Sequence, residues 1–357
     1  MIAARKVRGS AGRKRQKGFS LLELLVSVAI LVVVAGAIIM GMIRMTWSAS
    51  TIMNRTQMHS SVRNATELMQ QEVGQAGRLG SSPGLTLASA VGVGSTPVTL
   101  NSTSGTSTTG LYVGEQLVVD PSTTSEETVT ISAVNTGSIQ ATFANAHVAN
   151  VPVLVMGGIA SGIVPPTTAS TPTSSQLILN SNGTANTTLP NDKASNGFTL
   201  KLYGDLNGDG SMIYVVYHCT PNQLGTGKLY RYVSTTSDVT NPANTFALPP
   251  TLLLDNLFDT GVPCFTYQVK DQVPVTISGG QVKETFVINV AVTLTVQTQN
   301  KDAKTGVVQK ETKALLNIAP RNVFEAWQLA NSPSGYMRAQ PMPLNVYNNF
   351  LSQTLLF

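Results

Sequence analysis

Gly18-Phe19 and Glu23 are the residues whose types and spacing most directly suggest chemistry. The glycine closes a basic stretch, a phenylalanine follows it, and a single carboxylate stands five residues beyond the glycine. From Leu24 to Ile43 no residue is charged. At about 1.5 Å per residue that run reaches roughly 30 Å, the hydrocarbon thickness of a bilayer. A lone Glu at the edge of such a span is costly unless it finds a partner, so Glu23 reads as functional. On spacing alone, an ordinary signal anchor with Glu23 near the headgroups fits as well.

Two further constellations carry chemical meaning. Asp205-Leu206-Asn207-Gly208-Asp209-Gly210 has the D-x-N-x-D-G spacing of calcium loops, in which alternate oxygens converge on one hard cation. An EF-hand would place a bidentate Glu six residues past that last glycine, and Val216 stands there. Asp205, Asn207 and Asp209 would therefore need a ligand from another loop, such as Asp255 or Asp259. The competing reading is a tight turn between strands, since Asn-Gly and Asp-Gly favour hairpins. Cys219 and Cys264 are the two cysteines, and in an oxidising compartment the expectation is a disulfide between them. Closing that loop would contribute ~4 kcal/mol in the chain-entropy model.

Hydrolytic and nucleotide chemistry find no support. His59, His147 and His218 lie in separate segments without ligand spacing, so zinc chemistry has no basis and each reads as a surface or satisfied structural histidine. No G-x-S-x-G elbow or Walker loop is present. Glu126-Glu127 sits beside a Ser/Thr loop and reads as solvated charge.

The elements that must position these residues follow from charge and pattern. The net charge of +5 belongs to the first 18 residues, which hold seven Lys/Arg and no acid. The remaining chain has 16 basic and 18 acidic side chains, which argues against a nucleic-acid-binding face. The same basic end fixes topology, with the large C-terminal part exported. Trp47 and Arg44 fall at the outer membrane boundary.

Beyond the span, Met58, Val62, Ala65, Met69, Val73 and Ala76 recur at helical steps, with Glu67, Gln70, Glu72 and Gln75 between them. No proline occurs from Phe19 to Gly80, so one nearly continuous helix is expected, ending at Gly77–Gly80. Residues 81–196 are rich in Ser, Thr, Gly and Asn. There, Ser95–Gly110 and Ile163–Ser175 read as linkers or loops, and four short strands between Tyr112 and Met156 form a β-module or insertion. From Gly197 onward strands follow steadily. The clearest runs along Phe286, Ile288, Val290, Val292, Leu294 and Val296 as one buried face. A long helix followed by antiparallel strands is α+β architecture. The aromatic tail after Asn322 reads as packing on the parent domain or as a contact surface for a neighbouring subunit.

The string Gly18-Phe19-Ser20-Leu21-Leu22-Glu23 resembles the G|FTLxE signal of type IV prepilins, with Ser for the common Thr. Glu67–Gly77 and the strand pair closing on Ala319-Pro320-Arg321-Asn322 are similar to PilW-type minor pilins. The resemblance covers 19–80 and roughly 197–322. It implies a pilin-like fold, with the long helix packed on an antiparallel sheet and a β-rich insertion. The implied organisation is a cleaved leader at 1–18, an assembly helix at 19–80, the insertion at 81–196, the pilin-like domain at 197–322 and a tail at 323–357.

It also implies cleavage between Gly18 and Phe19 by a prepilin peptidase, and N-methylation of Phe19. Other pilin subunits would be met through the helix, where Glu23 would pair with a neighbour's Phe19 amine. The chain would be held once in the inner membrane with its C-terminal part periplasmic, and then in a pilus or pseudopilus. A minor pilin that initiates or caps a pilus is the first reading and a J-type secretion pseudopilin the second. A membrane-tethered adhesin is the alternative of another class. Some members of this family bind calcium, which bears on the Asp205 loop.

Overall fold

The computed structural model describes residues 18, 20–80, 84–103, 105–106, 108–155, 157–166, 195–235, 250–277, 280–302, 305–330, 339–341 and 343. Helix α1, Leu21–Gln75, runs unbroken for 55 residues. It ends where Gly77 takes φ +76°, a left-handed conformation that glycine adopts without penalty. Its N-terminal part is exposed along its length, whereas Val62, Ala65, Met69 and Val73 are buried. The three- and four-residue spacing of those side chains forms the stripe that seats the helix.

The segment after the helix folds into a closed barrel. Its strands are β1 (Thr86–Leu87), β2 (Gly94–Ser102), β3 (Gly105–Thr106), β4 (Gln116–Val119), β5 (Glu127–Asn135), β6 (Ser138–Phe143) and β7 (Val153–Val155). The antiparallel order is β1-β2-β6-β5-β4-β7, with β3 paired to β2. The ends of this order meet. The Leu87 amide donates to Val151 O at 3.1 Å, and the Val153 amide donates to Leu85 O at 2.9 Å. Closure removes the edge strands that would otherwise invite pairing. Val98, Leu100, Leu117, Val119, Val129, Ile131, Ile139, Ala141 and Phe143 fill the interior. Strand β2 corrects the expectation of a linker at Ser95–Gly110. Its inward residues Val98 and Leu100 are too few to reveal alternation in a Ser/Thr-rich stretch.

The chain leaves the barrel through β8 (Gly158–Ile159) and enters a second antiparallel sheet. Its strands are β9 (Thr199–Gly204), β10 (Ile213–Thr220), β11 (Gly227–Thr235), β12 (Thr251–Leu257), β13 (Phe265–Ile277), β14 (Gly280–Gln297) and β15 (Lys310–Ile318). The order is β9-β10-β11-β12-β14-β13, with β15 on β14. Helix α1 lies on this sheet, and its stripe shares a core with Leu202, Val215, Leu229, Leu254 and Val292. Cys219 and Cys264 are disulfide-bonded within this core.

Two local features depart from the expected pattern. Pairing with β13 skips a residue between Asn289 and Val287, a bulge in β14. Val287, Val290, Val292, Leu294 and Val296 face α1, whereas Phe286 and Ile288 join a separate core. The uninterrupted face from Phe286 to Val296 is thus corrected, because one inserted residue inverts the side of every residue beyond it. Ile163 and Val164, read as part of a loop, are fully buried against the β9 edge, where the Val164 amide donates to Lys201 O at 3.0 Å. The rest of that presumed linker, 167–175, lies outside the described residues.

Helix α2, Arg321–Ala330, covers the face to which Phe286 and Ile288 turn, burying Val323 and Ala326. Trp327 packs near Phe324 at 5.6 Å and lies under Lys270 Nζ at 5.7 Å. Strand β16, Ala339–Gln340, then pairs in parallel with β8. The described part of the tail is therefore packed on the protein. Tyr336, Tyr347 and Phe350–Phe357 lie outside the described residues.

At the end of α1 these parts meet backbone to backbone. A Cβ on Gly77 would lie 2.8 Å from Ile159 O, and one on Gly158 would lie 2.5 Å from Asn322 O. Gly162 is seated directly on the Gly77 backbone, while Gly110 of the barrel is seated on Gly80 and Gly210. Only glycine permits such approaches.

Candidate functional site

The N-terminal turn of α1 presents Glu23 exposed on the helix surface, with Gly18 also exposed. Phe19 lies outside the described residues. Other polar side chains along this stretch bond back to the helix: Ser27 Oγ donates to Leu24 O at 2.9 Å, and Thr46 Oγ1 to Met42 O at 2.7 Å. Glu23 has no partner of this kind among the described residues. In hydrocarbon a satisfied hydroxyl is tolerated, whereas a lone carboxylate calls for a cation.

The other end of α1 carries a group that sequence pattern placed on the polar side. Glu72 is buried, not solvated. Its carboxylate accepts from Tyr217 Oη and from Arg231 Nη2, and from Arg231 Nε at 3.2 Å. Burial alone would lower the Arg231 pKa, but the hydrogen bond and charge of Glu72 outweigh it and raise it. Burial, then the Glu72 charge, pushes the Tyr217 phenol well up. The signal in the sequence was slight: Glu72 lies one residue from Val73 and three from Met69, at the margin of the apolar stripe.

At the barrel–sheet junction Glu115 is fully buried. One carboxyl oxygen accepts from the Tyr112 amide at 3.1 Å, and Oε1 has no hydrogen-bond partner among the described residues. Burial pushes its pKa up to about 8, against a small lowering by that amide. Nearby, Tyr112 Oη donates to Pro341 O at 2.7 Å. Gln340 exchanges two hydrogen bonds of 2.9 Å with the backbone of Gln116. The C-terminal strand thus fastens the barrel.

His147 and Glu127, read separately as bland, form a pair inside the barrel wall at 2.6 Å. Burial would raise the Glu127 pKa, but hydrogen bonds from His147 and from the Ala144 and Asn145 amides hold it below the usual range. Glu127 is therefore not the solvated charge expected. His218 Nδ1 lies 3.2 Å from Thr199 Oγ1, and His59 Nδ1 lies 2.7 Å from Glu311.

The Asp205 loop is a turn closed by its own side chains. The Asp209 amide donates to Asp205 Oδ1 at 3.0 Å, and the Ser211 amide to Asp209 Oδ1 at 2.8 Å. Arg78 Nε stands 3.6 Å from Asp205 Oδ2, so a guanidinium already faces the buried carboxylate. Asp255 and Asp259 are not brought to it. Among the described residues no three His, Cys, Asp or Glu converge as a metal site.

Residues 13–39 match the family model for the prokaryotic N-terminal methylation motif. The N-terminal segment fits a type IV prepilin or pseudopilin. The matched stretch takes in Gly18, Phe19 and Glu23 and runs on into the apolar part of α1. In a prepilin, such a motif implies processing by a prepilin peptidase and membrane association with other pilins. The apolar helix that continues from it is long enough to cross a membrane. No curated protein and no solved structure matches the chain.

Proposed function

We propose that this chain is a minor type IV pilin. It is a structural subunit cut between Gly18 and Phe19, held once in the inner membrane with its sheet and barrel in the periplasm, and then drawn into a fibre. The observation that carries this reading is the continuity of one helix. The methylation motif overlaps the start of an unbroken helix of 55 residues, exposed at its beginning and seated on a sheet at its end. Such a helix serves first as an anchor and then as a fibre core. Glu23 takes the role of an axial lock: paired with the Phe19 amine of a neighbour, it offsets the cost of both charges in an apolar core and selects one register.

The barrel argues for a minor subunit over a major one, because a densely repeated subunit must pack closely with its own copies. It also supports a second reading, a tethered binding module. It has its own core and closed edges, and it stands beside the pilin-like sheet.

Mass spectrometry of the N-terminus of the protein in sheared fibres tests the first reading. A methylated Phe19 is the expected result. An intact Met1 would return the chain to a plain signal anchor. Loss of surface adhesion with normal piliation, after excision of the barrel, would favour the binding module.

A further inference from the structure

Just past the span, α1 and Asp302 of the β14–β15 connection flank an open crevice of about 650 Å³ lined by Arg44, Trp47, Ser48, Thr51, Ile52 and Asp302. We propose that this crevice holds the headgroup of an anionic phospholipid of the leaflet from which the exported domain rises. The proposal rests on the membrane-spanning reading of α1.

Depth is the first argument. Ile43 is the last residue of the uncharged run. At 1.5 Å per residue, Arg44 sits about 1.5 Å, Ser48 about 7 Å and Thr51 about 12 Å above the hydrocarbon edge. The headgroup layer is roughly 5–8 Å deep on each side. Arg44, Trp47 and Ser48 therefore stand within it, on one helix face at three- and four-residue steps.

The second argument is that the crevice is bridged a few ångströms above that layer. Thr51 Oγ1 donates to Asp302 Oδ2 at 3.0 Å, which brings the hairpin tip onto the helix. The contact ties Asp302 to the helix at the end of the crevice away from Arg44.

Charge is the third. Arg44 has no ion-pair partner among the described residues, and Lys301 is exposed on the same hairpin tip. The one carboxylate in the lining is already engaged. Asp302 Oδ2 also accepts from Gln309 Nε2 at 3.2 Å, and Oδ1 accepts from the Thr305 amide at 2.9 Å. A phosphodiester would meet the Arg44 guanidinium and the Ser48 hydroxyl, with the glycerol end along the half-exposed Trp47 ring. Arg44 in the lining and Lys301 beside it outnumber the single carboxylate, Asp302, and this local excess of one positive charge favours a net-negative headgroup over a zwitterionic one.

Trp47 and Trp327 are the two tryptophans, so Trp327→Phe leaves Trp47 as a local reporter. The full chain with that change is reconstituted in phosphatidylcholine vesicles. Small fractions of phosphatidylglycerol or phosphatidylcholine, each spin-labelled close to the headgroup, are then added. The labelled phosphatidylglycerol should quench Trp47 in clear excess over the labelled phosphatidylcholine. Arg44→Gln should reduce that preference about fivefold, the effect of one basic residue near an anionic leaflet. Arg44→Lys should retain most of it. Equal quenching by both lipids, or a preference unchanged in Arg44→Gln, overturns the headgroup site alone. Release of the chain from vesicles by alkaline carbonate overturns the spanning reading and this site with it.

Discussion

Glu72 is the residue on which the seating of the helix turns. Its buried carboxylate is shared between buried Tyr217 and half-buried Arg231 under the helix. Removing one member leaves the other largely covered and unpaired; breaking a fully buried pair typically costs about 3–5 kcal/mol, and the partial exposure of Arg231 lowers that figure. Glu72→Ala should therefore lower the urea midpoint of the detergent-solubilised chain strongly. The double change Glu72→Met/Arg231→Met should recover much of the loss, because no orphaned charge remains.

Glu115 makes the opposite case. Its folded pKa of about 8 lies above the ordinary carboxyl value, so the folded state favours the protonated form. The stability this confers is complete below about pH 4 and is lost as pH rises through about 8. Unfolding midpoints measured across that window should fall with pH, and Glu115→Gln should flatten the slope. Neither residue announced itself in the sequence. A Glu at the margin of an apolar helical stripe and a Glu leading into the apolar run Leu117–Val119 carry no local mark of burial until tertiary packing covers them.

At the scale of elements, legibility followed the strength of the local pattern. The length of α1 could be read because proline is absent and the stripe is regular, and Gly77 stops it close to the expected point. The strands from β9 to β15 were legible because Val, Ile, Leu and Tyr dominate them. Strand β2 was not, since only its inward positions are apolar. Closure of the barrel depends on β1 meeting the 151–153 segment, a contact that no local spacing encodes. The β14 bulge is likewise invisible in a stretch where both faces carry Val and Ala. The glycine junction was also missed, because its members are dispersed along the chain and only folding brings them together. Here Gly162→Ala should be severe. Its Cβ would enter the Gly77 backbone, which no rotamer change relieves, and a loss of about 3 kcal/mol or more is expected in denaturant titration. An Ala at Gly92, which has open space, should change the midpoint little.

For the whole molecule, the fibre reading divides the chain into an assembly helix and the exported parts it carries. Glu23→Ala should leave cleavage at Gly18 intact yet reduce recovery of the subunit in sheared fibres. Immunoblots of membrane and fibre fractions would check both. Normal recovery of the variant would remove the pairing role while leaving the anchor.

The glycine contacts at the end of α1 also have a mechanical meaning. Barrel, sheet and helix touch there largely through main chain, at Gly77, Gly80, Gly110, Gly162 and Gly210, which leaves little room for long side chains to bend or slide. Such close backbone contacts would pass a tug on the barrel directly into the helix. In a retracting or shear-loaded filament, the barrel would keep its bearing relative to the fibre axis.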